Sequence, residues 1–234
     1  LYAITHSLYS GRARSYLIKH QIPFQELSTG HESFKTEVLP KGKLATIPTL
    51  VTPEGEVIRD GAAIIEHFEA ANGRPSRPTG PKQRIISALF DVIGTDGLLR
   101  PAMHYRWNTT EENRQFIVQE FERAFETGEK RQESARTMGA EFAENMKAYL
   151  PVLGVTAETV GAVEQATHAL YHSLNAHLLE FPYLLGGRPS IADFGLMAPI
   201  YAHLGRDVSS SNELKVVAPA LYRWIETMNH ANIT

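Results

Sequence analysis

An α/β domain followed by an all-helical domain is the fold class this sequence predicts, and three observations predict it. Short apolar runs alternate with helical periods through residues 1–72. Residues 73–81 are rich in Pro and Gly and read as a linker. Residues 82–234 carry helical periods and no strand pattern. A chain of 234 residues suits one large domain or two small ones, each able to bury a core.

The elements follow in order. Residues 1–5 alternate as a short strand, and residues 6–11 form a polar turn. Residues 12–20 place Ala13, Leu17 and His20 on one helical face, with Tyr16 beside them. Residues 22–27 form a second strand, entered through Pro23. Residues 31–39 make a short, weak helix or an irregular segment, closed by Pro40-Lys41-Gly42. Two strands, 49–51 and 56–59, flank the turn Thr52-Pro53-Glu54-Gly55. A helix then runs from Gly61 to Ala71 with Ile64, Ile65 and Phe68 inward, which completes a βαβαββα order.

Beyond the linker, one helix is expected over 82–99. Thr109-Thr110-Glu111-Glu112 reads as a capping box opening a second, whose solvated extension takes in 129–136. Val160, Val163, Thr167, Leu170, Leu174 and Leu178 mark a strong amphipathic helix. Ser190-Ile191-Ala192-Asp193 caps another, in which Pro199 should force a kink near Gly195. The last helix spans 216–229.

Composition removes several chemistries. The 23 Lys plus Arg against 26 Asp plus Glu give a net charge of −3, with no general pull toward nucleic acid or anionic membranes. No apolar run is long enough to span a bilayer. The chain has no Cys, so it holds no disulfide, Cys-ligated zinc or thiol nucleophile of its own. That absence, with no visible signal peptide, favours the cytoplasm. His168 and His172 have the i,i+4 spacing of a metal pair, but no local carboxylate or third His completes a set; no metal is expected. The sequon Asn108-Thr109-Thr110 reads more simply as a turn and cap.

Three local signals coincide in register. Ala45-Thr46-Ile47-Pro48-Thr49-Leu50 puts a proline just before a strand. Ile58-Arg59-Asp60-Gly61-Ala62-Ala63 puts an acid and a small residue where a hairpin feeds a helix. Residues 183–193 form a Gly-rich turn into a Ser-x-x-Asp cap. Together with the element order, these resemble the cytosolic glutathione S-transferase superfamily, across essentially the whole chain. The resemblance implies a thioredoxin-like N-terminal domain over residues 1–72, the linker 73–81, and an all-helical C-terminal domain over 82–234. It implies an enzyme that binds glutathione as co-substrate and activates its thiolate for attack on a small apolar or aromatic electrophile. Conjugation, isomerisation and peroxide reduction all use that thiolate. Detoxification, a cytoplasmic location and a homodimer go with the family.

The site residues follow from the same resemblance. Ile47, ahead of a cis Pro48, should pair with the cysteinyl backbone of glutathione. A γ-glutamyl group carries an ammonium and a carboxylate, so it suits an acid beside a helix N-terminus. Asp60 would meet the ammonium, and the Gly61 and Ala62 amides the carboxylate. Asp60 capping its own helix is the plainer role. Here the sequence departs from the family, where Glu or Gln precedes a Ser; Gly61 lacks that hydroxyl. Lys43 is preferred over Lys41 for the glycyl carboxylate. Ser7-Leu8-Tyr9-Ser10 lines up with the Ser-x-x-Cys or Ser-x-x-Ser turn of serine-type relatives. Ser7 is the expected thiolate donor, with Ser10 and Tyr9 as runners-up and His6 and Thr5 behind them; Ser10 is the competing helix cap. Tyr9, His104, Tyr105 and Trp107 would face the electrophile, unless Met103–Trp107 is a packing cluster or dimer contact. The rival class is a binding or scaffold protein that has kept the fold and lost the site.

Overall fold

The structure, a computed structural model, describes residues 1–42, 44–108, 110–125 and 133–231. Two regular strands are present among them. β1 (Thr49–Val51) and β2 (Val57–Arg59) pair antiparallel with Leu50 opposite Ile58. The two N-terminal segments expected as strands are each reduced to a single bridging residue. Tyr2 pairs antiparallel with Thr49 and parallel with Leu27, so the sheet order is Leu27, Tyr2, β1, β2. The reason is local. The chain turns immediately after Ala3, with the Ser7 amide donating to the Ile4 carbonyl at 3.1 Å. Pro23 brings no amide hydrogen to the edge segment.

The first helix starts earlier than its apolar stripe. α1 covers Leu8–Lys19 and is capped by Ser7, not by Ser10. A π-helical turn, Phe34–Val38, runs into the short α2 (Leu39–Gly42), so Pro40 lies inside the helical segment it was expected to close. Proline brings no amide hydrogen, and Pro40 sits just after the widened π turn rather than in the interior of a regular α-helix. α3 (Gly61–Ala71) matches its predicted bounds.

The helical part is more broken than the periodicity suggests. α4 (Pro81–Val92) widens into a π turn, Ile93–Gly97, before α5 (Leu99–Trp107). α6 (Glu111–Phe125) and α7 (Glu133–Lys147) pack against each other where one extended helix was expected; residues 129–132 of that expected extension lie outside the described residues. Thr110 receives the Asn113 amide at 3.4 Å, one residue later than the predicted box; Thr109 lies outside the described residues. α8 is Val160–Glu180. α9 (Ile191–Pro199) passes at Pro199 into a π segment, Ile200–Leu204; the irregularity follows the proline rather than sitting at Gly195. The predicted last helix is α11 (Pro219–Met228), which starts at Pro219 because proline disfavours helical backbone at Ala218; α10 (Val208–Val217), ahead of it, was not expected. No helix among the described residues is long and apolar enough to cross a membrane.

α9 is the central pillar. Phe194, Leu196 and Met197 are fully buried, as are Ile200 and Leu204 beyond it. α1 packs on one side of α9 and α4 on another. The π turn after α4 crosses α9 backbone to backbone: a Cβ at Gly94 would lie 2.2 Å from the Gly195 carbonyl oxygen. Asp193 is buried at the head of the pillar, where its carboxylate accepts from the amides of Ser190 (2.8 Å) and Leu184 (3.0 Å). The linker is pinned rather than loose. Buried Glu69 accepts from the Tyr16 hydroxyl at 2.8 Å and from the Ser76 amide at 3.1 Å. The Ser76 carbonyl in turn accepts from the Ile191 amide at 3.1 Å. These bonds fix the helical bundle against the sheet layer.

Candidate active site

Three turns meet at one end of the sheet. The first is the turn into α1. Ser7 is in extended conformation (φ −85°, ψ 124°), and its oxygen receives the Ser10 amide at 3.4 Å. An oxygen used as an acceptor keeps its own proton to donate. Ser7 therefore performs the capping role expected of Ser10 while leaving its hydroxyl hydrogen free. Ser10 is fully buried in the first turn of α1, enclosed away from any ligand. Tyr9 is 38% exposed. Burial, then the nearby Asp96 and Asp60 carboxylates, push its phenol pKa up, so Tyr9 is a neutral donor. Thr5, half-buried, donates to Glu120 at 3.2 Å, and the His6 ring is buried edge-on against Phe121.

The second turn carries Ile47–Pro48, whose peptide bond is cis as the resemblance implies. The third enters α3. The Asp60 amide donates to the Pro48 carbonyl at 3.1 Å, which ties these two turns together. Asp60 has φ 78°, a left-handed value uncommon outside glycine and costing on the order of 1–3 kcal/mol. Its Oδ1 accepts from the Ala62 amide at 2.7 Å, so Asp60 caps its own helix. One of the amides expected for a glutathione carboxylate is already occupied.

Gly61 is where the first and third turns touch. A Cβ there would stand 3.1 Å from the Tyr9 carbonyl oxygen and 3.4 Å from the Arg12 Cδ. The family's Ser would fit here only if the Tyr9 carbonyl or the Arg12 side chain gave way by a few tenths of an ångström. Lys41 donates to the Gly55 carbonyl at 3.2 Å and so braces the hairpin. Lys43 lies outside the described residues.

The aromatic run on α5 is placed differently from the expectation. His104 is buried, held by Asn108 at 3.1 Å and by Glu164 at 3.0 Å. Trp107 is a core residue, its ring parallel to Phe121 among Met103 and Ile117. Tyr105 is half-buried against the main core. These three pack the bundle because α5 is enclosed by α6, α8 and the π segment after α9. A cleft of about 280 Å³ lies elsewhere, between Thr5, His6 and Ser28 on one side and Glu120, Arg123 and Arg206 on the other.

Sequence reasoning passed over Arg106. Its guanidinium is 3% exposed and uses all five hydrogens. Nε and Nη2 grip the two Asp207 oxygens at 2.8 Å each, and Nη2 also donates to the Ala202 carbonyl at 2.7 Å. Nη1 donates to His203 Nε2 and to the His6 carbonyl, both at 2.8 Å. His203 Nδ1 faces the Ala102 carbonyl at 3.0 Å, so that nitrogen carries the ring proton. Burial and the Arg106 charge hold the His203 pKa well below its ordinary value. Among the described residues no group of three or more His, Asp or Glu is placed to hold a metal ion.

A sheet layer with three converging turns, pinned to a helical bundle through a capped central helix, is the architecture of a thioredoxin-like domain joined to an all-helical one. The family models described as glutathione S-transferase, N-terminal domain and C-terminal domain match residues 1–76 and 122–232. The chain belongs to the glutathione S-transferase superfamily. Solved structures agree on the fold. Gtt2 from Saccharomyces cerevisiae is 18% identical, with 99% of this chain and 96% of that one covered and a TM-score of 0.54. FzlA from C. crescentus is 18% identical over 96% of this chain and 84% of that one, with a TM-score of 0.57. The beta-etherase LigF from Sphingobium sp. strain SYK-6 is 14% identical over 95% and 90%, also with a TM-score of 0.57. No curated protein matches the chain.

Proposed function

We propose that this protein is a glutathione transferase that binds glutathione at the three converging turns and stabilises its thiolate with the Ser7 hydroxyl. The observation that carries the reading is Ser7 itself, which caps α1 through its oxygen and keeps a proton to donate beside a helix N-terminus. In this reading the Ile47 backbone pairs with the cysteinyl unit, Asp60 meets the γ-glutamyl ammonium and the Gly61 amide its carboxylate. Lys43 is the proposed partner of the glycyl carboxylate. The division at residues 1–72, 73–81 and 82–234 belongs to the same proposal.

The electrophile is placed against the exposed Tyr9 ring. The cleft beyond Thr5 and His6 is walled by charged side chains, so an electrophile reaching into it would carry a polar group. Calorimetric titration with glutathione tests the reading. Asp60→Ala is expected to weaken binding about tenfold, the value of one exposed charge-assisted contact. No heat of binding at millimolar glutathione would sink it and favour a scaffold that has kept the fold. Gly61 and the self-capped Asp60 are the features that favour this second reading.

We also assign a homodimer to the exposed apolar stripe of α4 and its π turn, formed by Ile85, Ile86, Leu89, Val92 and Ile93. These positions share one helical face that the described residues leave exposed. Leu89→Glu should convert a dimer to a monomer by light scattering with its helical circular dichroism intact. A parent that is already monomeric would overturn the assignment.

A further inference from the structure

We infer that Arg106 is a positioning residue for Ser7, holding the peptide plane before the hydroxyl against the Asp207 ion pair in the helical bundle. The inference rests on the reading of Ser7 given above. A peptide unit is planar, so fixing its carbonyl also fixes the amide on its far side. In the plane joining His6 to Ser7, the carbonyl accepts from Arg106 at 2.8 Å and the amide donates to Ile4 at 3.1 Å. Both ends of the plane are bonded. The plane fixes the direction of the Ser7 N–Cα bond; the φ of −85° then places Cβ, and the Ser10 amide at 3.4 Å holds Oγ.

The donor comes from outside the sheet layer. Arg106 lies on α5 and Asp207 stands just ahead of α10, a hundred residues away in the chain. Four of the five guanidinium hydrogens are satisfied within the bundle, and the fifth crosses to the turn. Asp207 is fully buried, so the guanidinium has no freedom to swing away. Lysine has no planar fork: it cannot grip both Asp207 oxygens and reach His6 at once. The bundle thus sets the aim of a hydroxyl that belongs to the other domain.

The test uses the full chain with Arg106→Lys and Asp207→Asn, each alone and combined with Ser7→Ala. Amide exchange is read at residues 7–9 without ligand, and thiolate absorbance of bound glutathione is followed against pH. Exchange in the turn should quicken about tenfold, as one anchoring bond is lost. The thiolate should appear about one pH unit higher, and kcat should fall about tenfold with the glutathione KM within about threefold. In the Ser7→Ala background the shift in thiolate pH should vanish, because the effect acts through Ser7. Unchanged exchange and an unchanged pH profile with only a lowered Tm would overturn the inference, as would a shift that adds fully to that of Ser7→Ala. If Arg106→Lys does not fold, Asp207→Asn decides, since it keeps the shape of the acceptor. If no variant, parent included, binds glutathione, the reading of the site fails and the exchange rates alone judge the anchoring.

Discussion

Ser7→Ala is expected to raise the pH at which bound glutathione ionises by about one to two units, and to lower kcat at neutral pH at least tenfold. A free thiol titrates near 8.5, so a site that runs at pH 7 must favour the thiolate. Lowering that value by two units takes about 2.7 kcal/mol of preferential stabilisation. Two donors are at hand: the Ser7 hydroxyl and the unpaired amides at the head of α1. The helix end survives the substitution, so part of the stabilisation remains and activity should not fall to zero. The same substitution removes the cap on α1, at a cost of about 1 kcal/mol in stability. Thiolate absorbance against pH, read beside the Tm, separates the two effects. A lowered Tm with an unmoved thiolate would transfer the role to Tyr9, whose neutral phenol stands at the mouth of the site. Ser10 is the weaker heir, because its hydroxyl is enclosed within α1.

Local chemistry explains what was legible in advance. The order of elements, the Pro48 turn, the helix starting at Gly61 and the Ser190–Asp193 cap depend on neighbours a few residues apart, and each was readable from its own segment. Strand lengths were not. Residues 1–5 and 22–27 have strand-like alternation, yet how many pairs form depends on where the chain turns away, here after Ala3. The aromatic density of Met103–Trp107 reads equally as pocket wall or core. Only the packing of α6 and α8 around α5 decides for core. The departure at Gly61 was visible as a difference from the family, but the tight contact that bears on it, the Tyr9 carbonyl at 3.1 Å from a would-be Cβ, spans about fifty residues. Arg106 is the sharpest case. Its partners His6, Ala202, His203 and Asp207 lie some hundred residues away, and a single sequence carries no signal that joins them.

That same cluster makes the fold acid-sensitive. His6 and His203 are buried beside Arg106, and both have pKa values held well below the ordinary 6.5, first by burial and then by the Arg106 charge. In the unfolded chain both would protonate near 6.5. Below that pH the unfolded state therefore binds more protons than the folded one, so stability falls as pH falls. It is intact above 6.5 and is lost progressively beneath it, at about 1 to 1.5 kcal/mol per pH unit for each histidine. Asp193 and Asp207, whose pKa values burial pushes up, act in the opposite sense at lower pH and limit the total. Urea midpoints between pH 7 and 5 measure the slope. His203→Gln isolates one term, because a glutamine amide can accept from Arg106 and donate to Ala102 without titrating. The variant should lose about one proton's worth of the slope while keeping its midpoint at pH 7.5 near that of the parent. An unaltered slope would mean that His203 already carries its proton in the folded state. It would then be a second cation against Arg106, and the tautomer that completes the Arg106 cage would be wrong.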